Sequence, residues 1–287
     1  MKNLYIIILL VLLQFNVEAQ NFGGHPLGLH WQILNSEAVR VIYPKGLEAQ
    51  AQRIAAIINS MDKNNRISIG KKKRRFDLVL QNQTTNPNGY VSLAPFRSEF
   101  FSTPPQSNLF LGSMDWLDVL AIHEYRHVQQ FTNGLRGLTL LGYVLAGEPL
   151  WAGFHFISVP NWYFEGDAVV AETALTNTGR GRAPFFSLEQ RALAFAGKDY
   201  SYAKNRNGSF KDLLPNHYPL GYMMLTKARK DHGNEVTKNV HNHAAAYRGI
   251  IYPFARAMRK YTGMGTTKLY KEAWADKKED WKIELQN

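Results

Sequence analysis

The run Trp116-Leu-Asp-Val-Leu-Ala-Ile-His123-Glu124-Tyr125-Arg126-His127-Val-Gln-Gln-Phe131 decides how the rest of the chain is read. Two histidines four apart on a helix stand one above the other on the same face. Both imidazoles can then reach one tetrahedral Zn²⁺. Glu124, one residue on, sits at the edge of that face, placed to take a proton from a metal-bound water. Met114, Leu117, Leu120, Ala121, Val128 and Phe131 form an apolar stripe that predicts a helix, with Ser113 as its cap and Gly134 past its end.

Composition narrows the ligand chemistry. The 287 residues are 45% hydrophobic, enough for a sizeable core in one large or two small domains. There is no cysteine, so disulfides and thiolate ligands are excluded, and any zinc must be held by His and carboxylate. The net charge of +11 includes the block Lys71-Lys-Lys-Arg-Arg75. That block stands just before an apparent strand and reads as a solvated turn, so no nucleic-acid partner is expected. Residues 1–19 read as a cleavable secretory signal: Lys2, an apolar run from Leu4 to Leu13, then small residues around Val17-Glu-Ala19. The run is short for a membrane span. The expected location is periplasmic or extracellular.

Upstream of the histidine helix, His30 to Tyr43 alternates like a strand broken at Asn35-Ser36, and Gly46 opens a helix with Leu47, Ala51, Ile54, Ala55 and Ile58 at helical spacing. Phe76–Leu80 reads as a second strand and Gly89–Pro95 as a third. Pro95 suits an edge, and Leu109 to Leu111 forms a further short strand. A small mixed sheet results, whose edge strand lies beside the zinc helix and can bind an extended peptide by strand addition. Downstream, Leu138 to Val159 is apolar but punctuated by Gly142, Gly147, Pro149 and Gly153. It reads as buried turns or a hydrophobic lid, with a peripheral membrane or envelope contact left open. His241 and His243, two apart, read as part of a solvated helix face. Ile250 to Tyr261 and Leu269 to Leu285 read as two amphipathic helices closing a helical lobe.

The second informative stretch is Pro160-Asn-Trp-Tyr-Phe-Glu165-Gly-Asp-Ala-Val-Val-Ala-Glu172-Thr-Ala-Leu175. A His-Glu-x-x-His motif followed by this aromatic-rich Glu-Gly helix resembles the gluzincin metallopeptidases, and most of all secreted bacterial proteins with a peptidase MA-like domain. Many of those continue into a β-propeller, whereas no repeat of propeller length follows here. The resemblance implies that Glu165 is the third zinc ligand, and a carboxylate there completes a His₂Glu set. Glu172, seven residues on and on the same face, can accept the free ring N–H of a zinc-bound histidine. Asp167 points away and has no assigned role. In Asn216-His-Tyr218-Pro-Leu-Gly221 the resemblance makes Tyr218 the donor to the tetrahedral oxyanion, with His217 and Tyr222 as competitors.

The expected fold is α+β and zincin-like, divided into 1–19 (signal), 20–112 (N-terminal α/β sublobe) and 113–287 (zinc helix and helical sublobe), the last two forming one catalytic domain. The expected function is a secreted zinc-dependent metallopeptidase with Glu124 as general base, acting on peptide or protein as an endopeptidase. The alternative is a catalytically silent module of the same fold that binds glycan, anionic lipid or a partner protein.

Overall fold

The computed structural model describes residues 25–26, 28–107 and 114–286. The expected signal segment, the Leu109–Leu111 strand and the Ser113 cap lie outside them. The first half builds a five-stranded sheet. β1 (Trp31–Asn35) and β2 (Val39–Pro44) form an antiparallel hairpin, closed where the Ser36 N–H donates to the Val39 carbonyl. Helix α1 (Glu48–Asn64) crosses over to β3 (Phe76–Gln81), which lies parallel to β2. β4 (Gly89–Leu93) and β5 (Phe96–Phe101) follow, and the strand order is β1-β2-β3-β5-β4. Ile54 and Ile58 of α1 pack with Leu78, Leu80 and Phe100. Each fully buried aliphatic is worth roughly 2 kcal/mol, which holds the helix on the sheet.

β5 is absent from the sequence reading. Phe96-Arg-Ser-Glu-Phe-Phe101 puts Arg97 and Glu99 mid-run and breaks the apolar alternation. Both charges are satisfied locally, because the buried Glu99 carboxylate accepts from the Tyr90 hydroxyl and lies 3.5 Å from Arg97. Pro95 falls in the turn between β4 and β5, outside the strand. β4 is one of the two edges, and a Cβ at Gly89 would come within 2.5 Å of Leu120. Glycine there lets the edge strand lie against the histidine helix.

That helix, α2 (Trp116–Gly134), starts at Asp115, whose side chain accepts from the N–H groups of Leu117 and Asp118. Every residue from Val119 to Gly134 is buried, so the expected one-sided stripe is corrected: the helix is wrapped on all faces. On one side Tyr125 donates to the buried Asp62 of α1 at 2.5 Å. On the other lies α4 (Asn161–Leu175).

In chain order, α3 (Leu138–Ser158) lies between α2 and α4. It breaks at Ala146 and Gly147, where the backbone leaves helical angles. The expected buried turns or lid are therefore corrected to two helical segments with Leu140, Leu141, Val144, Leu145, Phe156 and Ile157 exposed. Among the described residues no helix is long and apolar enough to cross a membrane.

The remainder is helical. Two short turns (Arg180–Arg182 and Pro184–Ser187) precede α5 (Leu188–Phe195), α6 (Tyr202–Asn207), α7 (His217–His232), α8 (Glu235–Ala245), α9 (Pro253–Thr262) and α10 (Thr266–Gln286). Helices α4 and α7 cross with their backbones in contact. A Cβ on Gly166 would sit 2.3 Å from the Gly221 backbone, and one on Gly221 would sit 1.8 Å from the Trp162 carbonyl. Both glycines are needed for the two backbones to touch. His241, read from sequence as solvated, is wholly buried: α8 turns it inward onto Tyr163 and Phe164. Ile250 and Ile251 precede α9 and stay exposed.

Candidate metal centre

Three side chains from two helices meet at one point. His123 Nε2 lies 3.1 Å from Glu165 Oε2, His127 Nε2 lies 3.3 Å from the same oxygen, and the two Nε2 atoms are 3.2 Å apart. The four-residue spacing on α2 sets the two rings edge to face, centroids 4.8 Å apart. The Gly166–Gly221 contact and the packing of α4 on α2 bring Glu165 to them.

The outer ring nitrogens are already committed. His123 Nδ1 donates to Glu172 Oε1 at 2.5 Å, and His127 Nδ1 donates to Gln130 Oε1 at 2.8 Å. With those protons placed outside, both Nε2 lone pairs face inward at a carboxylate oxygen. Three electron-rich atoms about 3 Å apart repel unless a cation lies among them. A tetrahedral ion with bonds of about 2.0–2.1 Å spaces its ligand atoms by about 3.3 Å, close to the triangle found here. His123, His127 and Glu165 could therefore hold a metal ion.

Without the ion, a proton takes its place. Burial alone would lower His123, but Glu165 and Glu172 outweigh it and raise the ring to about 9. His127 moves up in the same way, with Glu165 overcoming burial. Burial would raise Glu165, yet the two imidazoles hold it far below the usual carboxylate range. Glu124 is different. Its carboxyl is raised because burial exceeds the pull of His123 and His127.

The supporting shell is deeper than the sequence reading. Glu172, expected there, is held at about 2: burial opposes ionisation, but Arg180 and His123 more than compensate. Arg180 Nε donates to Glu172 Oε2 at 2.8 Å, and a terminal nitrogen donates to Oε1. Gln130 was missed. Its Nε2 donates to Asp167 Oδ2 at 2.9 Å and to the Phe164 carbonyl at 3.1 Å, which fixes the oxygen that receives His127. Asp167 does point away from the ligand triangle, but it anchors this relay and pairs with the buried Arg126 at 2.7 Å. The spacing His127-x-x-Gln130, three apart on one helix face, is the signal that could have found it.

A cavity of about 200 Å³ opens over the triangle. Glu124, Tyr218, Phe156 and the β4 residues Gly89, Tyr90 and Val91 line it. Asn216 caps α7 by accepting from the Tyr218 N–H at 3.0 Å, which sets Tyr218 in the first turn, its ring 6.0 Å from that of His123. Burial, then the Glu165 charge, raises its phenol. Of the competitors, Tyr222 packs under Gly181 and against Phe186, while His217 stacks on Tyr218 at 4.7 Å; neither lines the cavity.

No protein-family model and no curated protein matches the sequence. Among solved structures, a conserved protein of unknown function from Bacillus anthracis str. Ames aligns over 86% of this chain and 51% of its own at 12% identity and TM-score 0.39, and a mutant of such a protein at 11% and 0.41. An aminopeptidase N family protein from Idiomarina loihiensis aligns over 86% of this chain and 46% of its own, at 12% identity and TM-score 0.38. The chain thus spans about half the length of these proteins. Likeness at this level does not fix a family, and the chemistry of the centre has to be read from its own side chains.

Proposed function

We propose that this chain is a zincin-like, zinc-dependent metallopeptidase, and that it is exported. The observation that carries the reading is the ligand triangle: His123, His127 and Glu165 converge at tetrahedral spacing, with Glu124 lining the cavity above them. Nitrogen and carboxylate donors suit Zn²⁺. When bound, Zn²⁺ would supply Lewis acidity, polarising a peptide carbonyl and acidifying water. Glu124, raised by burial, accepts the proton from the attacking water and passes it to the leaving amine. Tyr218 turns its phenol O–H to the oxyanion as charge develops there. The outer edge of the half-buried β4, which lines the cavity, offers an extended peptide backbone hydrogen bonds, and on this reading the chain acts as an endopeptidase. Export is supported by the Lys2 start and the apolar run after it.

The test is a metal assay joined to an unbiased peptide-library digest. Purified protein should carry about one zinc per chain, and chelation should stop cleavage. Glu124→Gln should keep the metal and lose about 10²–10⁴ in turnover. Metal-free protein with full activity would sink the assignment. Zinc-loaded protein that cuts nothing in the library would favour the silent binding module instead.

A further inference from the structure

Away from the metal centre, two arginines stand together with no acid between them. Arg136, just past α2, and Arg248, between α8 and α9, line one cavity of about 400 Å³ with Asn242, His243 and Tyr261. No carboxylate lines it. Arg136 Nε donates to the Asn133 carbonyl at 2.5 Å, but neither guanidinium has an ion-pair partner among the described residues. Burial and the neighbouring Arg248 charge lower Arg136 from its ordinary value, the mark of two cations held close without compensation. His243 Nε2 donates to the Arg248 carbonyl at 3.1 Å, which ties the residue that carries the second guanidinium to α8. A cavity of this kind is completed by an anion with several acceptor oxygens, and phosphate suits paired guanidiniums best.

The residues that neighbour this lining in the chain say which phosphate. Gly137 lines the same cavity and precedes α3, so Leu140, Leu141, Val144 and Leu145 follow within about two turns. Ile250 and Ile251 follow Arg248 by two and three residues. These six aliphatics are 41 to 80% exposed. Residues 236–271 contain no Asp or Glu, and Glu148, the one acid in α3, is turned inward to the Phe96 N–H and Arg74. A nucleic acid would use the cations and leave the aliphatics in water; an anionic bilayer uses both.

We propose that this cavity receives the phosphate of an anionic membrane lipid, while the flanking Leu, Val and Ile side chains enter the acyl region. Phe156, which lines the metal-centre cavity, belongs to the second segment of α3, beyond the break at Ala146 and Gly147.

The test is co-sedimentation of the full chain with vesicles of phosphatidylcholine alone or containing phosphatidylglycerol, with glycerol phosphate as the soluble probe. It needs no enzymatic activity. The apolar N-terminal run is common to every variant, so differences among variants read this face. Wild type should bind the phosphatidylglycerol vesicles at least tenfold more tightly. Arg136→Gln with Arg248→Gln should lower that binding about thirtyfold, the effect of two basic residues near an anionic surface. Should the double variant fail to fold, Arg248→Gln alone should cost about fivefold. Val144→Asp with Leu145→Asp, both exposed, should abolish vesicle binding and keep glycerol phosphate binding. Vesicle binding unchanged by the arginine variants would overturn the proposal. Glycerol phosphate binding with no lipid preference would make this a soluble-anion site. Self-association lost in the aspartate variants, with no vesicle binding in wild type, would assign the face to a second copy of the chain.

Discussion

The molecule buries two pairs of histidines, and they behave in opposite ways. His123 and His127 have ring centroids 4.8 Å apart; His155 of α3 and His241 of α8 have theirs 5.4 Å apart. All four rings are almost completely buried. Around the first pair stand Glu165, Glu172 and Gln130, and both rings are raised. Around the second stand Phe131, Phe164 and Tyr163. Both nitrogens of His155 and Nε2 of His241 lack a partner, and burial lowers both rings, His241 to about 4. Phe131 touches both pairs, 6.0 Å from His127 and 5.3 Å from His155. Neither burial nor ring proximity makes a metal site. What sets the first pair apart is its acceptors, Glu172 and Gln130 for the outer protons and Glu165 in the inner triangle, a set that could hold a metal ion.

The most direct way to break the comparison is to remove that carboxylate. Glu165→Ala should turn the first pair into something like the second: metal affinity should fall by at least about 10³-fold, read by competition with a chromogenic chelator. His241→Phe should leave metal content unchanged. If Glu165→Ala keeps its metal, Glu172 becomes the leading candidate for third ligand. Next in size is Tyr218→Phe, which keeps the ring and deletes one hydroxyl. Loss of an oxyanion donor costs about 10²–10³ in kcat with little change in KM. Normal turnover in that variant, with a loss in His217→Ala, would hand the role to the histidine.

Much of the first pair was legible in the sequence, and almost none of the second. Spacing of four on a helix, which is local, names His123 and His127; Glu165 stands on another helix, and it was the resemblance that named it. Glu172 followed from the seven-residue step, which is also local. Arg180 lies in the short basic run Gly179-Arg-Gly-Arg182, and only the fold brings that run back onto Glu172. His241 was misread because its neighbours Asn242 and His243 are polar, whereas α8 packs by its Val236, Val240 and Ala244 face. β5 was lost for a related reason: Arg97 and Glu99 are neutralised by each other and by Tyr90, a pairing invisible before the strands align.

A smaller effect is expected one shell out. Gln130→Ala leaves His127 Nδ1 without its acceptor and frees the ring to turn. Loss of such a partner lowers metal affinity by about 10–100-fold. Gln130→Glu should restore most of it, since a carboxylate also accepts from Nδ1, although the new charge faces Asp167 at the relay and should cost some stability. A metal affinity unmoved by Gln130→Ala would mean that packing of Phe131 on the ring suffices to orient it.

The effect expected to spare the metal centre altogether comes from the second pair, and it appears only in acid. An unfolded histidine titrates near its ordinary 6.5, whereas His241 in the fold is held down to about 4 and His155 well below its ordinary value. Below pH 6.5 the unfolded chain therefore binds protons that the folded chain refuses, and stability falls as pH drops. For His241 the loss begins near 6.5 and levels off below about 4, with an upper limit of about 3 kcal/mol. In metal-free protein the first pair works the other way. His123, raised to about 9, contributes stability that is complete below 6.5 and is lost as pH rises through 9. The two are separable by thermal melts of the metal-free chain between pH 4 and 9. His241→Phe keeps a ring of similar volume, removes the titration and should flatten the acid limb, shifting the melting temperature at pH 5 relative to pH 7 by a few degrees. The alkaline limb should be untouched. An acid limb as steep in His241→Phe as in wild type would show that His241 contributes no measurable part of the acid sensitivity, leaving His155 and the carboxylates to carry it.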